Sequence, residues 1–213
     1  MKAFTLLVVP LSLLLLLTAC KKQETQPQSI ANAVVNGDFE ATPYQDWSSA
    51  VNRNSLVKPN SYSVDYTTEA ASSPSHSIKV SCNAAYNDST YHLLQQNFYM
   101  ASSSSSPPAG AKVLSIPAGA KLTMKAKIKT VNIKGEGINI AMGGYYGADK
   151  KYASAFYTES RGKISINGTN DFTEYTISFD SFPPNVYNMY VIIFFMPNTT
   201  GTAYYDDVSL AIN

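Results

Sequence analysis

The sequence predicts an all-β fold, a sandwich or jelly roll of antiparallel strands, and three observations carry that prediction. Beyond about residue 30, apolar and polar residues alternate at period two, the signature of strands with one wet face. Turn signals recur between these stretches, at Pro59-Asn60, Pro107-Pro108-Ala109-Gly110, Pro117-Ala118-Gly119, Gly143-Gly144 and Pro183-Pro184. Helical period is nearly absent from the same region.

The elements follow in order. Val34 to Phe39 reads as the opening strand, and Trp47, the single Trp, reads as core packing just after it. Ser77 to Cys82 places Ile78, Val80 and Cys82 on one face, so Cys82 reads as a core thiol. Tyr91 to Met100 is a longer strand carrying Gln95 and Gln96. The segment Ala101 to Ser106 before Pro107-Pro108 is low in complexity and reads as a surface loop. Lys121 to Thr130 gives the clearest alternation. Leu122, Met124, Ala126 and Ile128 point one way, while Lys125, Lys127 and Lys129 point the other as a solvated row. Ile138, Ile140 and Met142 alternate with Asn139 and Ala141, and Ile164 and Ile166 read as a short strand ending at the turn pair Asn167-Gly168. Tyr175, Ile177 and Phe179 alternate with polar residues. Tyr187 to Met196 is apolar on both faces and reads as a central strand. Ala203 to Ile212 closes the domain.

The two ends of this region are acidic. Asn36-Gly37-Asp38-Phe39-Glu40 stands at the start, and Tyr204-Tyr205-Asp206-Asp207-Val208-Ser209-Leu210 at the finish. Pairing of first and last strands would bring Asp38, Glu40, Asp206 and Asp207 to one corner. Crowded carboxylates repel unless a hard cation neutralises them, and Ca²⁺ takes six to eight oxygen ligands of this kind.

Ahead of this region lies a different kind of segment. Lys2 precedes an apolar run from Phe4 to Leu17, followed by Leu17-Thr18-Ala19-Cys20. The run is too short and wrongly flanked for a membrane span and reads as a signal peptide over residues 1–19. Its end resembles the lipobox of bacterial lipoproteins. The resemblance implies cleavage before Cys20, its lipidation, and durable attachment through several acyl chains. Residues 20–30 then form a polar tether, Lys21-Lys22-Gln23-Glu24 onward, similar to lipoproteins of Bacteroidetes. Lys21 after the cysteine implies a cell-envelope protein held at the outer membrane, and the membrane is met through the lipid anchor only. Residues 31–213 make one domain, long enough for a sizeable core.

The chain has 16 Lys+Arg and 15 Asp+Glu, and losing Lys2 with the leader leaves 15 of each. A neutral mature chain argues against nucleic acid and against electrostatic membrane binding. There are 2 Cys, and with Cys20 lipidated no disulfide forms.

The order of segments carries a further resemblance. Val35-Asn36-Gly37-Asp38-Phe39-Glu40 is followed by Trp47 and by His76-Ser77-Ile78-Lys79-Val80. The Tyr91 strand, Ile116-Pro117-Ala118-Gly119, Phe172 to Phe179, and Ala203 to Leu210 then follow. This arrangement resembles the carbohydrate-binding modules of families 4, 9 and 22, the galactose-binding-like jelly rolls, from about Val34 to Ile212. The resemblance implies a two-sheet antiparallel jelly-roll β-sandwich with a structural Ca²⁺ held by Asp38, Glu40 and Asp206. It implies glycan binding, with aromatic rings on sugar faces and amides on hydroxyls. The matching regions hold Tyr86, Tyr91, Tyr145 and Tyr146 as aromatic candidates, with Tyr152 and Tyr157 beyond. Gln95, Gln96, Asn139 and Asn188 are the amide candidates. Partners on this reading are a glycan and, alongside, glycan-uptake or degrading proteins.

Catalytic signatures are missing from the sequence: no nucleophile elbow, zinc motif or P-loop is present. Two other readings stand beside glycan capture. One is a jelly-roll polysaccharide lyase or glycoside hydrolase, for which Tyr91-His92 and the only arginines, Arg53 and Arg161, are the footholds. Adjacent strand residues face opposite ways, which weighs against a Tyr91–His92 pair. The other is a lipoprotein that binds proteins through the same sandwich.

Overall fold

The computed structural model describes residues 29–42, 46–52, 60–102 and 106–213. The leader, Cys20, the tether up to residue 28, Arg53 and Pro59 lie outside the described residues.

Eleven strands form two sheets: β1 (Ser48–Asn52), β2 (Ser61–Thr67), β3 (Ser77–Ala84), β4 (Tyr91–Met100), β5 (Val113–Leu114), β6 (Leu122–Lys134), β7 (Ile138–Tyr146), β8 (Ser154–Glu159), β9 (Gly168–Phe179), β10 (Val186–Phe195) and β11 (Thr200–Ile212). One sheet runs β1-β4-β10-β7-β8, with β5 paired parallel to the end of β4. The other runs β2-β3-β11-β6-β9 and is antiparallel throughout. Consecutive strands mostly sit in different sheets, so the chain crosses the sandwich repeatedly and its contacts are non-local. No α-helix occurs among the described residues.

Alternation decides the core. Ile78, Val80 and Cys82 of β3 and Leu122, Met124, Ala126 and Ile128 of β6 are all buried. They face Leu94, Phe98 and Met100 of β4 and Met189, Val191, Ile193 and Phe195 of β10. β10 lies between β4 and β7, the central place that its apolarity on both faces requires. β11 changes phase at a bulge between Asp206 and Ser209, where Asp207 takes φ 47°. The extra residue lets Ala203 and Tyr205 before it, and Val208, Leu210 and Ile212 after it, all point inward. The lysine row of β6 faces solvent. Lys125 pairs with Glu174, Lys127 with Asp207 and Lys129 with Asp171, at 2.8 to 3.0 Å.

Two expected strands are absent. Val34 to Phe39 is irregular, because side chains rather than a neighbouring strand take its backbone bonds. Gln96 bonds both the N–H and the C=O of Val35 at 2.9 Å, and Asn32 Oδ1 accepts from Val34 and Leu210. Asn36 and Phe39 adopt φ 50° and 52°, outside strand geometry. The segment still runs beside β11: Ala33 N–H reaches Leu210 O, and Val208 N–H reaches Gly37 O, each at 2.8 Å. A Cβ on Gly37 would lie 1.9 Å from the Val208 carbonyl oxygen, so this close approach needs glycine. Ile164 and Ile166 also form no strand. They end a turn that starts at Ser160, and Ile166 is apolar because it plugs the end of the core. Trp47 is buried, lies 5.3 Å from Phe39 with the two rings tilted, and donates to Asn36 O.

Candidate functional site

The outer face of the β1-β4-β10-β7-β8 sheet collects most of the candidate residues. Strand parity puts Tyr91, Leu93, Gln95, Asn97 and Tyr99 of β4 on this face, opposite the buried His92, Leu94, Gln96, Phe98 and Met100. Register then aligns them across strands. Leu93, Phe194 and Asn139 share one row, and Gln95, Ile192, Ala141 and Glu159 the next. Asn97, Tyr190, Gly143 and Tyr157 form a third, and Tyr99, Asn188 and Tyr145 a fourth. Of the expected residues, Tyr91, Gln95, Asn139, Tyr145 and Asn188 are therefore brought to one surface.

At the Tyr91 end a cleft of about 530 Å³ opens between Tyr91, Phe194, Asn139, Tyr157, Glu159 and Arg161, with Asp88 and Glu136 at its rim. Tyr91 meets Phe194 edge-on at 5.5 Å. Glu159 organises the opposite wall. Its carboxylate accepts from Asn139 Nδ2 at 2.7 Å and from the Tyr157 hydroxyl at 2.9 Å, and pairs with Arg161 at 3.4 Å. Asn139 Oδ1 accepts from Ser160 Oγ and from the Arg161 N–H. Asn139 is thus buried and engaged at both ends of its amide, and it fixes the wall. Burial, with Glu159 beside it, pushes the Tyr157 hydroxyl far above the usual phenol range. Burial and the neighbouring Tyr145 do the same for Tyr190. Both phenols stay protonated; the Tyr157 proton is already given to Glu159, which leaves its oxygen to accept.

A strand interior without side chains makes room for these rings. A Cβ at Gly143 would lie 2.7 Å from the Tyr190 hydroxyl and 3.0 Å from the Tyr157 ring. The rings therefore lie down against the β7 backbone. The side-chain amides of Gln95, Asn97 and Asn188 are half-buried or exposed and have no hydrogen-bond partner among the described residues.

Other candidates fall elsewhere. Tyr86 is exposed on the loop between β3 and β4, where its N–H meets Asn60, and it does not line the cleft. Tyr146 turns away from the Tyr145 face, with Lys150 Nζ 4.0 Å over its ring. Gln96 is buried and spent on Val35. His92 is buried on the core side, bonded to Ser49 at 2.9 Å, and burial pushes its pKa down to about 4. Tyr91 and His92 thus face opposite sides of the sheet and do not act on one substrate. Phe194, Tyr190 and Glu159 were not among the expected residues; β10, apolar on both faces, gives no parity from which to pick the first two, and Glu159 ends β8, an edge strand with little pattern. A larger cleft, about 690 Å³ around Ile116, Pro117, Phe182 and Pro183, has no aromatic other than the buried Phe182 and no charged residue in its lining.

The acidic ends form a seam away from this face. Both close on the segment before β3. Asp206 Oδ2 accepts from the Ser72 and Ser73 N–H groups at 2.6 and 3.1 Å, and Oδ1 from Asp207. Ser73 Oγ donates to Asp207. Glu40 accepts from the Ser75 and His76 N–H groups, from Ser75 Oγ and from His76 Nδ1, at 2.7 to 2.9 Å. His76 stacks on Tyr66 at 4.6 Å. Asp38 Oδ1 faces the Glu40 N–H at 3.4 Å. The side-chain bond from His76 holds the Glu40 carboxyl down at about 2, whereas burial pushes Asp206 up to about 6. A hard cation needs lone pairs converging on it. Here N–H and O–H donors occupy the oxygens of both carboxylates, and no group of three or more His, Cys, Asp or Glu converges among the described residues. The arrangement of Asp38, Glu40 and Asp206 does not fit Ca²⁺.

No protein-family model matches the chain, and no curated protein matches it by sequence. Solved structures do. The enzymatically active domain of a tailspike protein of bacteriophage CBA120 aligns with a TM-score of 0.54 at 14% identity. That alignment covers 85% of this chain and 21% of the tailspike domain, so this chain spans about a fifth of it. A family 16 carbohydrate-binding module aligns with a TM-score of 0.50 at 17% identity, over 84% of this chain and 99% of that one. A family 4 module aligns at 0.49 and 16%, over 84% and 99%. At these identities the tailspike and family 16 alignments establish the fold alone, an all-β jelly-roll sandwich of the kind found in that carbohydrate-binding module.

Proposed function

We propose that this domain is a non-catalytic glycan-binding module, borne by a lipid-anchored protein of the cell envelope. One observation carries the reading: a single sheet face presents aromatic rings together with side-chain amides that have no hydrogen-bond partner among the described residues. Tyrosine rings offer a flat apolar surface to sugar C–H groups, and free amides match hydroxyls. These amides are half-buried or exposed and bonded to water, which the hydroxyls of an external ligand can replace. The fold shared with carbohydrate-binding modules supports the same reading. The anchoring rests on Leu17-Thr18-Ala19-Cys20, Lys21 after the cysteine supports the outer membrane, and uptake or degrading proteins are the partners this reading expects.

The test is retention on a glycan array by the mature chain carrying Cys20→Ser. Retention of one polysaccharide class, lost on Tyr91→Ala, is the expected outcome. Binding to none by folded protein would overturn the reading. Release of reducing ends or unsaturated uronides from a retained polysaccharide would overturn the non-catalytic part.

A further inference from the structure

We propose that the end of the sandwich where the chain arrives from Cys20 docks on the lipid surface that holds the anchor, a membrane contact beyond the acyl chains themselves. This rests on the anchoring of Cys20 and not on the glycan reading. The cleft of about 690 Å³ lies at this end, walled by Ile30, Ile116, Pro117, Ala118, Pro183 and Pro184 among others. Ile30 is also the point of entry, fixed to Ile212 by two backbone bonds of 2.9 Å. Nine residues, 21–29, lie between Ile30 and Cys20. Ten Cα steps reach at most about 35 Å, so this end of the domain stays near the bilayer.

Its surface suits the boundary of a lipid headgroup layer. No charged residue lines the cleft. Pro117, Ala118 and Pro184 stand exposed on its rim. The rim is rigid: the Gly119 N–H bonds Phe182 O, and the Phe182 N–H bonds Ala120 O, at 2.8 and 2.9 Å. Beside it lies the turn 147–152, because Tyr146 before that turn pairs with Val186 just after the Pro183-Pro184-Asn185 wall. The turn carries Lys150, Lys151 and Tyr152, the last 58% exposed. Neither lysine has a carboxylate partner among the described residues, and Asp149 is the turn's one acid. An apolar rim flanked by a tyrosine and two lysines can bury its apolar part among headgroups while the ammonium groups meet lipid phosphates. The contact needs little affinity of its own. A connection this short holds the domain at an effective concentration on the order of millimolar, so a contact with a Kd of about 1 mM is made about half the time. Docking also sets orientation. β4 runs from Tyr91 to Met100, and Ser102 beyond it lines the lipid-facing cleft. The Tyr91 cleft is then held away from lipid by the length of that strand, roughly 30 Å.

The lipidated chain is taken from the membrane fraction and placed on vesicles of phosphatidylethanolamine and phosphatidylglycerol that contain doxyl-labelled lipid as quencher. An environment-sensitive fluorophore is attached at Ala118→Cys or, at the far end of β6, at Lys134→Cys; both positions are exposed, and Cys82 is buried. About half of the first label should be quenched, and little of the second. Tyr152→Ser, also at an exposed position, should cut quenching of the first label about threefold without releasing protein from the vesicles. No other protein is present, so quenching reports lipid. An anchored protein quenched at neither position, or equally at both, overturns the docking alone, as does quenching that Tyr152→Ser leaves unchanged. Recovery of the unsubstituted chain in the soluble fraction, as for Cys20→Ser, overturns the anchor, and the docking with it.

Discussion

The acidic seam and the open sheet face use the same side-chain chemistry to opposite ends. At the seam every carboxylate oxygen of Glu40 and Asp206 meets a donor, from the segment before β3 or, for Asp206 Oδ1, from the Asp207 N–H of β11. On the face, the amides of Gln95, Asn97 and Asn188 have no hydrogen-bond partner among the described residues and lie beside tyrosine rings. Satisfied polar groups hold a structure together, and open ones on a rigid surface wait for a ligand. Substitution at the seam should therefore change stability without changing affinity per folded molecule. Substitution on the face should do the reverse.

The largest expected effect is at the seam. Asp206→Ala leaves the N–H groups of Ser72, Ser73 and Asp207 without their acceptor. A loss of about 3 kcal/mol is expected, read as a fall of roughly 10 °C in Tm. Polysaccharide affinity of the protein that remains folded should be unchanged. An affinity loss as large as the stability loss would dissolve the contrast between the two regions.

Similar in size is a pH effect from His92, which lies behind the binding face. Burial lowers its pKa from 6.5 to about 4, so the folded state holds a proton less readily than the unfolded chain. Its contribution to stability is complete above the unfolded value and is lost as pH falls through the folded one. Acidification from about pH 6.5 to about pH 4 should cost about 3 kcal/mol from this group. Urea midpoints across that window check it, and His92→Gln should flatten the slope.

On the face, Phe194→Ala removes the ring that Tyr91 meets edge-on. Roughly tenfold weaker polysaccharide binding is expected, in line with about 1 kcal/mol or more for an aromatic contact. Phe194 is only half-buried, so Tm should move much less than for Asp206→Ala.

Much of this division was legible in the sequence. β3, β4, β6, β7, β10 and β11 declare themselves through strong alternation or a continuous apolar run. β1 (Ser48–Asn52) and β8 (Ser154–Glu159) do not, because as edge strands they bury little and need little pattern. Tyr91, Gln95, Asn139, Tyr145 and Asn188 were found as residues, but their common face depends on cross-strand register, which no local pattern encodes. The free and engaged states of Gln95 and Asn139 were equally hidden. Both are amides at the surface of a strand, and only Glu159 and Ser160, brought in by β8 and the turn after it, distinguish them. The acidic end motifs were visible at once, yet the donors that fill them come from Ser72 to His76, a stretch with no signal of its own.

That last point gives the smallest expected effect. Removing divalent metal with EDTA, or adding Ca²⁺, should leave Tm unchanged, because the seam is closed by protons rather than by an ion. Asp206 meets two backbone N–H groups through one oxygen and a third through the other, and Glu40 meets four donors. Seating a cation there would require those N–H groups to turn away and carbonyl oxygens to take their place, at the cost of the bonds already made. A Tm that falls with EDTA and returns with Ca²⁺ would show that the segment before β3 does rearrange in this way. The seam would then be a ligand site like the face, and satisfaction of polar groups would no longer separate the two.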